Sequence, residues 1–164
     1  MQKLIGSMVL LGICLYAGQS AASKLKKRAA YLRLLRQWIA EITGLLRTSL
    51  PLTADLLRMT AEAPAYQPLR FLHAASNHAE AFPDCWEPAL LSDYMLTSEM
   101  REVLSTVGQT LGSTVLDGQL SVLALCTEQL ADMQNQAEQA AREKSGLYRS
   151  MGLFGGLFAV ILLL

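Results

Sequence analysis

Two stretches without a charged residue, Leu4–Ser23 and Ser150–Leu164, bracket this 164-residue chain. In water such stretches need either a core or a bilayer to bury them. The first reads "LIGSMVLLGICLYAGQSAAS" and contains twenty residues. At about 1.5 Å per residue, a helix of that length crosses roughly 30 Å of hydrocarbon. A cleavable leader competes, because "GQSAAS" offers small residues for a cleavage site. However, only Lys3 precedes the run, while Lys24, Lys26, Lys27, Arg28, Arg33 and Arg36 follow it. Positive charge on the following side resists export and favours an uncleaved anchor. A lipoprotein signal fits poorly, since the bulky Ile13 precedes Cys14.

The second stretch has fifteen residues, about 22 Å of helix, a length that also suits a buried core helix. Tyr148 and Arg149 at its start suit a membrane interface. The carboxylate of Leu164 could sit at the opposite face, with bilayer thinning absorbing the mismatch. Arg142, Lys144 and Arg149 place its near side in the cytoplasm. The expected organisation is a transmembrane helix over 1–23, a cytosolic bundle over 24–148 and a second transmembrane helix over 149–164. Gly152 and Gly156 form a small-xxx-small pair, able to bring another membrane helix close.

Charge is segregated along the chain although the net charge is zero. Residues 1–40 carry seven Lys/Arg and no acid, and residues 41–141 carry four basic and thirteen acidic residues. A middle that is nine units negative argues against nucleic acid as a partner. The basic residues Lys24, Lys26, Lys27 and Arg28 instead suit an anionic lipid surface, besides setting topology. The three cysteines, Cys14, Cys85 and Cys126, have no regular spacing, so no disulfide framework is expected.

Between the ends the pattern is helical. Tyr31, Leu34/Leu35, Trp38, Ile42 and Leu45/Leu46 recur at three and four over residues 24–48, and Pro51 stops the run. Further helices are expected over about 52–62 (with Leu52, Leu56, Met59 and Ala63 inward), 68–81 and 88–95. Thr97 or Ser98 caps the next one, and Gly112 ends it. Thr114 and Asp117 have capping-box spacing before a final helix of some 35 residues that continues toward the C-terminal anchor. No strand pattern emerges. The fold class is all-α, a five- to six-helix bundle between two membrane helices.

Enzyme signatures are missing. His73 and His78 are five apart and do not share a helical face. No Cys or carboxylate completes a metal set, and Cys85 beside Trp86 has no evident base. There is no glycine-rich phosphate loop. No catalytic residue, metal or cofactor is assigned.

Several blocks resemble one family, stage III sporulation protein AB. They are the start "MQKLIGSMVLLG", the hairpin "ITGLLRTSLPLTADLLRMTAE", the block "EVLSTVGQTLGSTVLDGQLSVL" and the tail "KSGLYRSMGLFGGLFAVILLL". In the third block the family pattern falls on Gly108, Leu111, Gly112 and Gln119. An Asp common in the following loop is Val115 here, leaving Asp117 as the candidate cap.

The resemblance implies a structural component of a secretion-like channel between mother cell and forespore. It also implies a bundle similar to the F-domain of type II secretion platform proteins. The expected partners are membrane lipid, a cytosolic hexameric secretion-type ATPase and other stage III channel proteins. An extracytoplasmic ligand-sensing bundle held by two membrane helices is the alternative from a different class.

Overall fold

The computed structural model describes the backbone of residues 2–112 and 115–163, and side chains from 23–112 and 115–143. Among the described residues every regular element is helical. The α-helices are α1 (Gln2–Thr48), α2 (Thr53–Glu62), α3 (Arg70–Ser76), α4 (Trp86–Ser92), α5 (Ser98–Thr110) and α6 (Leu116–Leu163). Single 3-10 turns at Pro64–Tyr66 and Ala79–Ala81 flank α3. Two compact units emerge, one of residues 31–133 and one of residues 1–30 with 134–164.

The bundle of residues 31–133 is organised on α1. Leu32, Leu35, Trp38, Ile39, Ile42 and Leu46 are buried, one helical stripe wide enough for several neighbours. α2 packs on α3, α3 on α4 and α4 on α5. At the centre the Trp38 and Trp86 rings stack with centroids 6.1 Å apart, and the Phe71 ring stands edge-on to both, at 5.5 and 5.7 Å. Offset stacks and T-shaped pairs are the geometries favoured by the ring quadrupole, adding about 0.5–1.5 kcal/mol per pair beyond burial. Both tryptophans of this Leu- and Ala-rich chain thus sit where α1, α3 and α4 meet.

Local chemistry explains most helix ends. Thr97 caps α5 by accepting the Met100 N–H at 3.5 Å. Gly112 terminates α5 with φ +79°, a left-handed conformation that glycine adopts without a Cβ penalty. Both agree with the sequence reading. The Gln119 N–H to Val115 C=O bond closes the first turn of α6, and Asp117 lies in that turn, where the helix dipole favours an acid. Thr114, the other half of the expected capping box, lies outside the described residues.

Three expectations needed correction. The inward face of α2 is Leu56, Leu57, Thr60 and Ala61, whereas Leu52 and Met59 are exposed. Thr60 can be buried because its hydroxyl donates to the Leu56 carbonyl at 2.8 Å, which rotates the buried face away from a purely apolar count. The expected helix over 68–81 is only Arg70–Ser76 followed by a separate 3-10 turn. The one expected over 88–95 starts two residues early, at Trp86, and stops at Ser92 because Asp93 is extended.

The second unit consists of the outer parts of the two long helices. Ala29, Ala137 and Ala141 are buried, along with Gln134. Among the described residues no helix is long and apolar enough to cross a membrane. The two expected membrane segments, 1–23 and 149–164, lie almost wholly outside the residues whose side chains are described. Gly152 and Gly156 fall there too.

Candidate functional site

Three of the four family-pattern residues, Gly108, Leu111 and Gly112, lie in the "VGQTLG" block at the end of α5, and Gln119 lies on α6. Gly108 lies on α5 directly under the Trp86 indole: a Cβ placed there would overlap indole Cδ1 and Nε1. The indole N–H donates to the Leu104 carbonyl at 2.8 Å. A side chain at 108 would therefore push Trp86 off both its stack on Trp38 and its hydrogen bond. Leu111 is buried at the end of α5, and Gln119 is buried in the first turns of α6. Gly112 reverses the chain beside the start of α2, where a Cβ would come within 3.0 Å of Thr53 Oγ1. Gly108 brings α5 close to Trp86 of α4, and Gly112 brings the end of α5 close to Thr53 of α2.

A second joint was missed by sequence reasoning. Asp93 is fully buried. Its Oδ2 accepts from the Tyr31 hydroxyl at 2.6 Å and the Phe71 N–H at 3.3 Å, and its Oδ1 accepts from the Met95 N–H at 2.9 Å. One side chain thus ties α1, the start of α3 and the α4–α5 turn together, satisfying three donors in a dry place. Burial, and next the hydrogen bond to Asp93, push the Tyr31 phenol well above its ordinary pKa. The available signal was a lone Asp inside "LLSDYML", a polar break in an apolar run. A similar tie joins the Tyr66 hydroxyl to Glu41, and burial followed by that bond raises the Tyr66 phenol to about 12.

No described cluster resembles a catalytic or metal centre. His73 is half-buried and His78 exposed. Among the described residues no three His, Cys, Asp or Glu side chains are grouped to hold a metal. An open, mostly apolar hollow of about 420 Å³ is lined by residues including His78, Asp84 and Cys85. The Cys85 thiol there is raised by burial, which lowers its thiolate fraction and its nucleophilicity. Trp86, next to Cys85 in the chain, is buried at the centre of the core.

The bundle surface carries the charge. Asp55, Glu62, Asp84, Glu87, Glu99, Glu102, Asp117, Glu128 and Asp132 are exposed. The Arg58–Glu80 pair at 2.9 Å bridges two exposed side chains, a contact worth little in water. In the other unit Lys24, Lys26 and Lys27 are exposed and Arg28 is half-buried. Exposed aliphatic side chains occur at Leu50 (63%), Leu52 (76%) and Val115 (80%).

Comparison with protein families gives one match. The model of the stage III sporulation protein AB family covers residues 3–164. No curated protein and no solved structure matches the chain. Since the match extends over essentially the whole length, the chain belongs to the stage III sporulation protein AB family.

Proposed function

We propose that this member of the stage III sporulation protein AB family is a non-enzymatic platform in a sporulation-specific, secretion-like channel between mother cell and forespore. Residues 1–23 and 149–164 anchor it in the outer forespore membrane, and residues 24–148 face the mother-cell cytoplasm. Its bundle docks a cytosolic hexameric ATPase and other stage III channel proteins. The bundle is similar in role to the F-domain of type II secretion platform proteins, an assignment that rests on the family resemblance.

The observation that carries this reading is the charge segregation along the chain. Exposed Lys24, Lys26 and Lys27 suit anionic headgroups, while the exposed acids of the bundle suit a basic protein surface. A packed aromatic centre and carboxyl groups used as internal ties leave the bundle surface, rather than a pocket, as the place for function.

Topology is tested with Cys85, which is half-buried, whereas Cys126 is buried and unsuited to labelling. An impermeant thiol reagent should label Cys85 after lysis but not in intact cells. Labelling in intact cells would support the extracytoplasmic sensing bundle instead. Docking is tested by binding of the full-length protein in nanodiscs to the purified ATPase. Affinity should fall as salt rises from 50 to 300 mM, through screening of the acidic surface.

A further inference from the structure

We infer that the Arg70–Tyr94 pair is a carboxylate clamp, a docking point for a segment of another protein that carries a single Asp or Glu between apolar residues. This goes beyond the platform reading and does not depend on it. The Arg70 guanidinium carbon lies over the Tyr94 ring, 4.9 Å from its centroid. A cation within about 6 Å of a ring centroid is attracted by the ring quadrupole. Both side chains are exposed, Tyr94 to 71%.

The pair is held from beneath. Arg70 precedes Phe71, whose N–H donates to Asp93 Oδ2, and Tyr94 precedes Met95, whose N–H donates to Asp93 Oδ1. One buried carboxyl group thus fixes the backbone beside both exposed side chains, so less freedom is lost when a partner docks. Other arginines and tyrosines of the bundle are engaged internally. Arg58 pairs with Glu80, Arg101 donates to the Leu96 carbonyl, and the Tyr31 and Tyr66 hydroxyls donate to Asp93 and Glu41. Among the described residues Arg70 has no hydrogen bond or ion pair, only the ring contact. Stacking leaves its N–H groups for an outside acceptor, and a planar guanidinium matches a carboxylate in bidentate fashion. Arg and Tyr are also enriched among the residues that dominate interface energies.

Charge selects the occupant. Residues 63–79 contain no acid, and the one acid within 88–98 is the buried Asp93. The chain on either side of the pair therefore brings no surface carboxylate of its own, and the guanidinium favours an anion. Yet residues 41–141 as a whole, with four basic against thirteen acidic residues, are nine units negative. That field repels an acid-rich segment, a doubly charged phosphate, an anionic bilayer or a second copy of the bundle. A lone carboxylate brings one charge only, and physiological salt screens the field beyond about 8 Å. Leu91 lies three residues before Tyr94, so their Cα atoms are within about 11 Å. It is 67% exposed and offers an apolar contact beside the clamp. A peptide with apolar residues flanking its carboxylate fills that contact, and a free anion does not.

The test uses full-length protein in nanodiscs of zwitterionic lipid and a short, amide-capped, fluorescent peptide of Leu, Ala and Ser with one central Glu. Fluorescence anisotropy should show saturable binding, about tenfold tighter than for the same peptide with Gln in place of Glu. Arg70→Gln should lower affinity for the Glu peptide about tenfold. Tyr94→Leu, which keeps an apolar side chain but removes the ring under the guanidinium, should lower it about threefold. The control Arg58→Gln, at an exposed arginine already paired with Glu80, should change it less than about twofold. Melting temperatures of all three variants should match wild type, because the replaced side chains are exposed. Equal affinity for the Glu and Gln peptides, or Glu-peptide binding that survives Arg70→Gln, overturns the clamp. Tighter binding of a phosphoserine peptide, or binding to anionic vesicles that Arg70→Gln abolishes, overturns the assigned occupant. Self-association that Arg70→Gln abolishes, with the Glu peptide unbound, overturns it in favour of a second copy. Binding to the ATPase and its salt dependence remain a separate readout, so failure of the clamp spares the platform reading.

Discussion

Two turns of the bundle, 93–97 and 49–52, have opposite chemistry. The first is governed by a buried carboxyl group. Asp93 satisfies donors from α1, from the start of α3 and from its own turn, and Thr97 then caps α5. The second has a leucine at positive φ, an uncapped helix start and side chains directed outward. In the first turn polar side chains fix the geometry from within, and in the second apolar side chains stand in solvent at a local cost. The difference teaches that exposure and burial here follow the partners a side chain finds rather than residue type. An aspartate is fully buried while leucines stand in solvent.

Substitutions at the pinned turn should have the largest effects. Asp93→Ala leaves two buried donors and one part-buried donor unsatisfied and should destabilise the protein by about 3–5 kcal/mol in chemical denaturation. A loss below about 1 kcal/mol would mean that the tie is not structural. Gly108→Ala, which forces the Trp86 indole out of place, should cost about 2–3 kcal/mol. It should also shift the near-UV dichroism of the stacked tryptophans. An unperturbed spectrum would break the account of this joint.

Tyr31→Phe removes one donor to Asp93 and should cost about 1–2 kcal/mol. Tyr31 and Tyr66 also set an alkaline limit. Both phenols are raised above their ordinary value of 10, Tyr66 to about 12 and Tyr31 further in the same direction. Folding therefore favours the neutral form. The resulting stability is fully present below pH 10 and is lost as pH rises through 12. Fluorescence-monitored denaturation at pH 9, 10.5 and 12 should show that decline, and Tyr31→Phe/Tyr66→Phe should flatten it.

The smallest effect belongs to the exposed turn and has the opposite sign. Leu50→Gly should stabilise the protein by about 0.5 kcal/mol, because relief of left-handed strain outweighs the added freedom of the unfolded chain. Destabilisation instead would show that Leu50 has an internal role and would erase the contrast between the two turns.

Much of the architecture is legible in the sequence because helical burial leaves a periodic trace. Trp38 and Ile42 on α1, Thr97 before α5 and Gly112 after it are all recoverable from spacing or local conformational preference. The inward face of α2 was misread because Thr60 looks polar until its hydroxyl is paired within its own helix. Asp93 was passed over for a related reason. A buried carboxyl group is recognisable only from its donors, which lie 62 and 22 residues away at Tyr31 and Phe71. Gly108 was marked by family pattern alone, and its reason, the Trp86 ring, lies on another helix.

By itself the sequence determined that the protein is helical, that charge is segregated along it and that its family is stage III sporulation protein AB. These properties are local or additive, being encoded in neighbours a few positions apart. Tertiary structure alone decided which polar groups are internal ties and which apolar groups face outward. That choice depends on partners distant in the chain, because a buried hydrogen bond or a close ring contact exists only once separate helices have met.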